Sequence, residues 1–117
     1  MSNDFDPRRD HTIDLDLGHD HLLSFVQWAP DRSLNPQYDR IPDIPKCGAN
    51  VYHRRKDNPA QWCTGFIYFD LPDVRKIFQE AHVWQVESWD PLTLSPSLLC
   101  RECQDHGFIK QGKWIVA

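Results

Sequence analysis

No long hydrophobic run interrupts this sequence. Nowhere in its 117 residues is there anything near the roughly 18 uninterrupted apolar residues of a membrane-spanning helix, and the first residues lack the apolar core of a secretion signal. Those absences make the cytoplasm of a cell the expected compartment. Positive charge is scarce too: 13 Lys and Arg against 17 Asp and Glu give a formal net charge of −4 and a pI near 5.8. The basic stripe with which nucleic-acid binders neutralise phosphate is therefore missing. The one basic run, Arg54-Arg55-Lys56, leads into Asp57-Asn58-Pro59 and reads as a solvated loop. Ser95 and Ser97 stand in no Gly-x-Ser-x-Gly elbow, so serine catalysis has no support. Neither a His-Glu-x2-His helix nor a His-x-Glu ahead of Pro-Cys-x2-Cys is present, which removes two common catalytic zinc patterns. Internal repeats and low-complexity tracts are absent as well.

What remains is a chain able to build one core. Apolar residues make up 40% and aromatics 12%, with five Trp and six Phe, enough large apolar surface to fold a single domain of this length. Nine Pro and five Gly, spread along the chain, favour short strands and turns over long helices. The composition predicts an α+β fold that is mostly β: a small antiparallel sheet, one short helix and a C-terminal hairpin. Residues 1–10 are polar and aperiodic and read as a flexible arm; residues 11–117 form the single β-rich domain.

Local patterns give the elements. Ile13, Leu15 and Leu17 alternate with Asp14 and Asp16, as in a strand with one wet face, and Gly18 marks a turn. The apolar stretch from 21 to 28 reads as a buried strand stopped by Pro30. Residues 31–48, with Pro36, Pro42 and Pro45, read as a long irregular segment of the kind that often carries function. Two strands follow, at 50–53 and 61–69, with the basic loop between them. Asp70-Leu71-Pro72-Asp73 is a helix start with Asp70 as N-cap, and Val74, Ile77, Phe78 and Ala81 recur at helical spacing. A strand at 83–89 and an extended run at 91–97 come next. Residues 107–110 and 113–116, flanking Gln111-Gly112, predict a hairpin.

The strongest chemical signal is Cys100-Arg101-Glu102-Cys103-Gln104-Asp105-His106. Zinc takes ligands at about 2.0–2.3 Å in a tetrahedron; Cys-x2-Cys brings two thiolates to one ion, and His106 is close enough to be a third ligand. A fourth must come from elsewhere. Cys63 leads, because it lies in an apolar strand expected to cross the core; Cys47, His53, His21 and His19 are the other candidates. The expected metal ligands are thus Cys63, Cys100, Cys103 and His106, and the expected cofactor is zinc. Two thiols close together in a chain without a secretion signal read as ligands or reduced cysteines rather than disulfides. His19-Asp20-His21 raises a second metal possibility, against the plainer reading of a polar strand start.

The C-terminal third carries a resemblance. Trp84-Gln85-Val86, the run Leu92-Thr93-Leu94-Ser95-Pro96-Ser97, Cys103-x2-His106, Phe108-Ile109 and Gly112-x-Trp114 together resemble a family of short phage and bacterial proteins catalogued as domain of unknown function 6527. The resemblance covers about 35 residues and implies metal binding, a phage or prophage context and an accessory role. This chain departs from the family pattern in having only Cys63 where an upstream cysteine cluster is expected, and in adding Cys100. The leading functional expectation is a protein-binding module with a structural zinc site, whose partner is a host or phage protein docking on the Pro-rich segment and on Trp28, Tyr38 and Trp89. A small metal-dependent hydrolase or modifying enzyme is the alternative, and it needs an open metal position beside a carboxylate or imidazole. Single-stranded nucleic-acid binding through stacking Trp residues is the weaker third, against the acidic balance.

Overall fold

Period-two alternation and short turns, set by the sequence, build two sheets in the computed structural model, which describes residues 5–31, 33 and 42–117. A four-residue helix, α1 (Pro7–Asp10), opens the chain; its Pro7 is buried, and Arg8 reaches Asp16 at 2.9 Å. Strands β1 (Leu15–Gly18) and β2 (His21–Trp28) form a hairpin whose tight turn takes Gly18, His19 and Asp20 through positive φ. Next come β3 (Ile44–Arg54) and β4 (Trp62–Phe69), then α2 (Pro72–Ile77), β5 (Val83–Trp89) and β6 (Leu92–Ser95). The chain ends with β7 (Leu98–Leu99), β8 (His106–Lys110) and β9 (Lys113–Val116).

Strands β1 to β6 lie side by side in chain order in one sheet, and β7 to β9 form a second. All neighbours are antiparallel except β4 and β5, which α2 connects and which pair in parallel over two residues only. This mostly antiparallel β fold with little helix is the one expected from composition. The C-terminal hairpin follows its turn chemistry: Gln111 and Gly112 take φ of 51° and 71°, the two positive values that a two-residue turn between right-twisted strands demands.

Residues from both sheets make the main core, among them Leu23, Val51, Ile67, Phe69, Leu94, Ile109 and Trp114. Each fully buried aliphatic side chain contributes about 1.5–3 kcal/mol, so this layer holds the two sheets together. Gly107 on β8 is required by that contact, since a Cβ there would lie 2.5 Å from the Trp114 ring. A second, smaller core sits under α2, where Val74 packs with Ile44 and Cys47, flanked by Trp28, Tyr68 and Phe78.

Two elements differ from the local reading. Helix α2 ends at Ile77 rather than near Ala81, because Phe78 leaves helical geometry (φ −114°, ψ 62°) and sets its ring 4.8 Å from Tyr68. Its N-cap is Leu71, without a side-chain cap, while Asp70 pairs with Arg75 instead. Strand β3 begins at Ile44, so the last residues of the Pro-rich segment are sheet; Pro45 fits where the β2–β3 register shifts between Val26 and Trp28. Pro36 and Tyr38 of that segment lie outside the described residues. Trp89 is exposed, whereas Trp28 is half-buried with its ring edge on Phe78.

Candidate metal centre

Two local structures converge to make the site. The first is the β3–β4 hairpin, closed where the Arg55 N–H donates to the Gln61 carbonyl at 2.9 Å. That closure pairs His53 directly with Cys63. Directly opposed residues share one face of a sheet, about 4.5–5.5 Å apart at Cβ, so their side chains act together. Both are buried, at 6% and 4% exposure.

The second is the loop from β7 to β8. The Cys100 N–H donates to the Asp105 carbonyl and the Gln104 N–H to the Cys100 carbonyl, each at 2.8 Å, and Gln104 takes the left-handed conformation with φ 65°. This knot turns Cys100 and Cys103 inward onto the hairpin. The donor atoms of His53, Cys63, Cys100 and Cys103 lie within 4.8 Å of one another. His53 Nε2 stands 3.3 Å from Cys103 Sγ. A tetrahedral zinc ion bound at ordinary lengths would hold N and S about 3.5 Å apart, so the pair already has coordination spacing. Three thiols and one imidazole fit a soft, tetrahedral ion, and four protein donors complete its coordination.

The electrostatics agree with a group built to share a cation. Burial raises the Cys63 thiol, helped by the neighbouring Cys100 and Cys103, to a pKa of about 12, since ionised sulfurs packed together repel. For Cys103, burial works against ionisation, but the backbone N–H groups of Lys56 and Asp105 and the adjacent thiols outweigh it and lower the pKa below the ordinary thiol value. Burial also lowers the pKa of His53, and the positive sides of His21 and Arg55 add to this while Asp105 opposes it. A neutral imidazole keeps the lone pair that a metal needs. Around the group, Glu102 lies 3.8 Å from Cys63 Sγ and 3.3 Å from the Arg55 guanidinium, which Asp57 grips at 2.8 Å.

Beside the cysteines lies a buried polar stack. His21 Nδ1 donates to the His19 carbonyl at 2.6 Å, and Nε2 meets the Asp105 carboxylate at 2.5 Å. With one nitrogen donating to a carbonyl, the other is left to share a single hydrogen with the Asp105 carboxyl group. Lys56 Nζ, 3.8 Å from Asp105, adds positive charge to the same carboxylate. The His21 ring lies flat on Trp114 at 4.0 Å and parallel to His53 at 5.5 Å. His21, His53 and Asp105 also form a second donor group of metal-binding size. Both His21 nitrogens are hydrogen-bonded within the protein, so the stack braces His53 and the knuckle.

Of the four residues expected from sequence, three come together: Cys63, Cys100 and Cys103. His106 lies outside the group. As the first residue of β8 it alternates with the inward Gly107, is exposed, and its Nε2 lies 2.8 Å from the Ser97 hydroxyl. The histidine beside the three thiols is His53, one of the candidates for the fourth position. Cys47 sits in the smaller core under α2, where burial raises its thiol pKa, and His19 belongs to the β1–β2 turn, supplying a carbonyl to His21. Hairpin counting carries the missed signal: strands at 50–53 and 61–69 joined by a short loop set His53 opposite Cys63. No family model matches the chain, and neither does any curated protein or any solved structure. Among the described residues no helix is long and apolar enough to cross a membrane.

Proposed function

We propose that this chain is a small accessory module whose β fold is closed by a structural zinc ion on His53, Cys63, Cys100 and Cys103, and that it works by binding another protein. The observation that carries the reading is the meeting of four neutral or ionisable donors from β3, β4 and one loop within 4.8 Å. Such a set fills a tetrahedral ion and leaves no position for a reacting water, which favours a structural over a catalytic role. Zinc is the metal we favour because the donors are mainly thiolate and the geometry is that of a closed knuckle. The resemblance to domain of unknown function 6527 supports a phage setting and a host or phage protein as partner, in the cytoplasm of the host cell.

Metal analysis of untagged protein tests the proposal. About one zinc per chain is expected; Cys103→Ser and His53→Ala should lose it, whereas His106→Ala should retain it. X-ray absorption on the bound ion should give three sulfur neighbours and one nitrogen. Metal-free wild-type protein with an unaltered fold, or full zinc retention in the His53→Ala variant, would overturn the assignment.

A further inference from the structure

Strand β4 is paired along its whole length on one side only. From Trp62 to Tyr68 it follows β3, but on the other side, among the described residues, only Tyr68 and Phe69 have strand partners, because β5 begins at Val83 opposite Tyr68. The Asp70 N–H donates to the Trp84 carbonyl at 2.8 Å, so the backbone groups of residues 68 and 70 point toward β5. Strand alternation then turns the N–H and C=O of Thr64 and Phe66 to that side too. Among the described residues they meet no backbone partner there. An unpaired edge is a template for another strand, and proteins usually cover, charge or shorten such edges.

The open edge borders a cleft of about 250 Å³ lined largely by apolar side chains, among them Val51, Ile67, Trp84, Leu98 and Leu99. Gly65 also lines it, and a Cβ added there would meet nothing within 4 Å. Glycine inside a strand weakens it and commonly marks the close approach of a ligand or another backbone. No part of the described chain makes that approach at Gly65.

We propose that the β4 edge and this cleft bind an extended segment of a partner protein, which adds a strand along Thr64 and Phe66 and seats one large apolar side chain beside Gly65. The inference rests on reading the chain as a metal-stabilised binding module, since Cys63 is two residues before Gly65 and Cys100 lines the same cleft. The backbone groups of Thr64 and Phe66, without a backbone partner among the described residues, specify a peptide backbone as the occupant, and the apolar lining specifies its side chain. A second copy fits less well: β4 against β4 about Gly65 would set glycine against glycine and leave the cleft empty.

The test uses zinc-loaded, 15N-labelled full-length protein. The probe is a capped peptide, Lys-Thr-Val-Thr-Leu-Thr-Val-Thr-Lys, with an analogue carrying Ala at the centre and another N-methylated along the pairing edge. The expected result is amide shifts centred on residues 64–67 and 98–100, with slowed exchange at the Thr64 and Phe66 amides. The Ala analogue should bind about tenfold or more weakly, from the lost apolar burial, and the N-methylated one should not bind. Gly65→Leu, whose side chain has room, should keep its zinc and melting temperature while losing the peptide. Equal binding by the N-methylated peptide, unchanged binding by Gly65→Leu, or no shifts at millimolar peptide would each overturn the proposal. So would a dimer that protects residues 64–67 without peptide, which would make the occupant a second copy. Zinc content measured on the same samples separates the two ideas: zinc-free folded protein that still binds the peptide refutes the metal reading alone, and zinc-bound protein that ignores it refutes the docking edge alone.

Discussion

The two histidines nearest the cysteines differ in a way that spacing in the sequence cannot express. His106, three residues after Cys103, is the nearer along the chain; His53, fifty residues away, is the nearer in space, with Nε2 3.3 Å from Cys103 Sγ. The Cys-x2-Cys pair was legible because its geometry is local. The histidine was not, because which side of β8 residue 106 occupies depends on the left-handed Gln104 and on where the strand starts. Asp105 shows the same limit: as one acid among 17 Asp and Glu it had no distinguishing mark, yet it is 6% exposed and joined to His21. Removing one partner of a buried hydrogen-bonded pair strands the other. Asp105→Ala should therefore cost about 1–3 kcal/mol in urea unfolding, and His21→Phe with Asp105→Leu together should cost much less than the sum of the single changes. Additive losses would show that the pair is not coupled.

At the level of elements, the strands were readable wherever polar and apolar residues alternate, as in β1 and β5, or where turn residues dictate the connection, as at Gln111-Gly112. Helix α2 was overrun because its apolar spacing continues past the point where Phe78 is better placed against Tyr68 than in another helical turn. Asp70, expected to cap that helix, instead lies against the Arg75 guanidinium, whose hydrogen bond holds the carboxyl below its ordinary value of 3.8. A carboxyl with a depressed native pKa contributes stability above its unfolded value and loses it as pH falls through the native one. The difference in stability between wild type and Arg75→Gln should thus be constant above about pH 5 and fade on further acidification, as followed by thermal melts across pH. A difference that persists undiminished to pH 2 would assign the effect of the substitution to packing. The pair is solvent-exposed at Arg75, so the effect should be small.

At the scale of the molecule, two sheets meet over the main core, and the donor group lies where they join at one end: His53 and Cys63 come from the large sheet, Cys100 and Cys103 from the loop leading into the small one. The six-stranded sheet has most of the apolar layer, while the small sheet holds on through Leu98, Ile109 and Trp114. Because binding energy at a structural metal site becomes folding energy, the proposed zinc ion would make chelation cost several kcal/mol. Amide exchange after chelation should accelerate first in β7 to β9, then in β2 and β3. Uniform acceleration would mean that the sheets unfold as a single unit.

How the donors are distributed along the chain also sets how the fold can be reached. Cys100 and Cys103 are neighbours before any folding, and His53 and Cys63 become neighbours as soon as one hairpin closes, an event of microseconds. Only one encounter between distant segments is left, that of the hairpin with the knuckle, and it is the encounter that carries most of the loop-closure entropy. An ion already resting on the two thiols of the knuckle would wait for the hairpin rather than search for it, so a bound metal would act on the rate at which the two halves find each other as well as on the stability of the result.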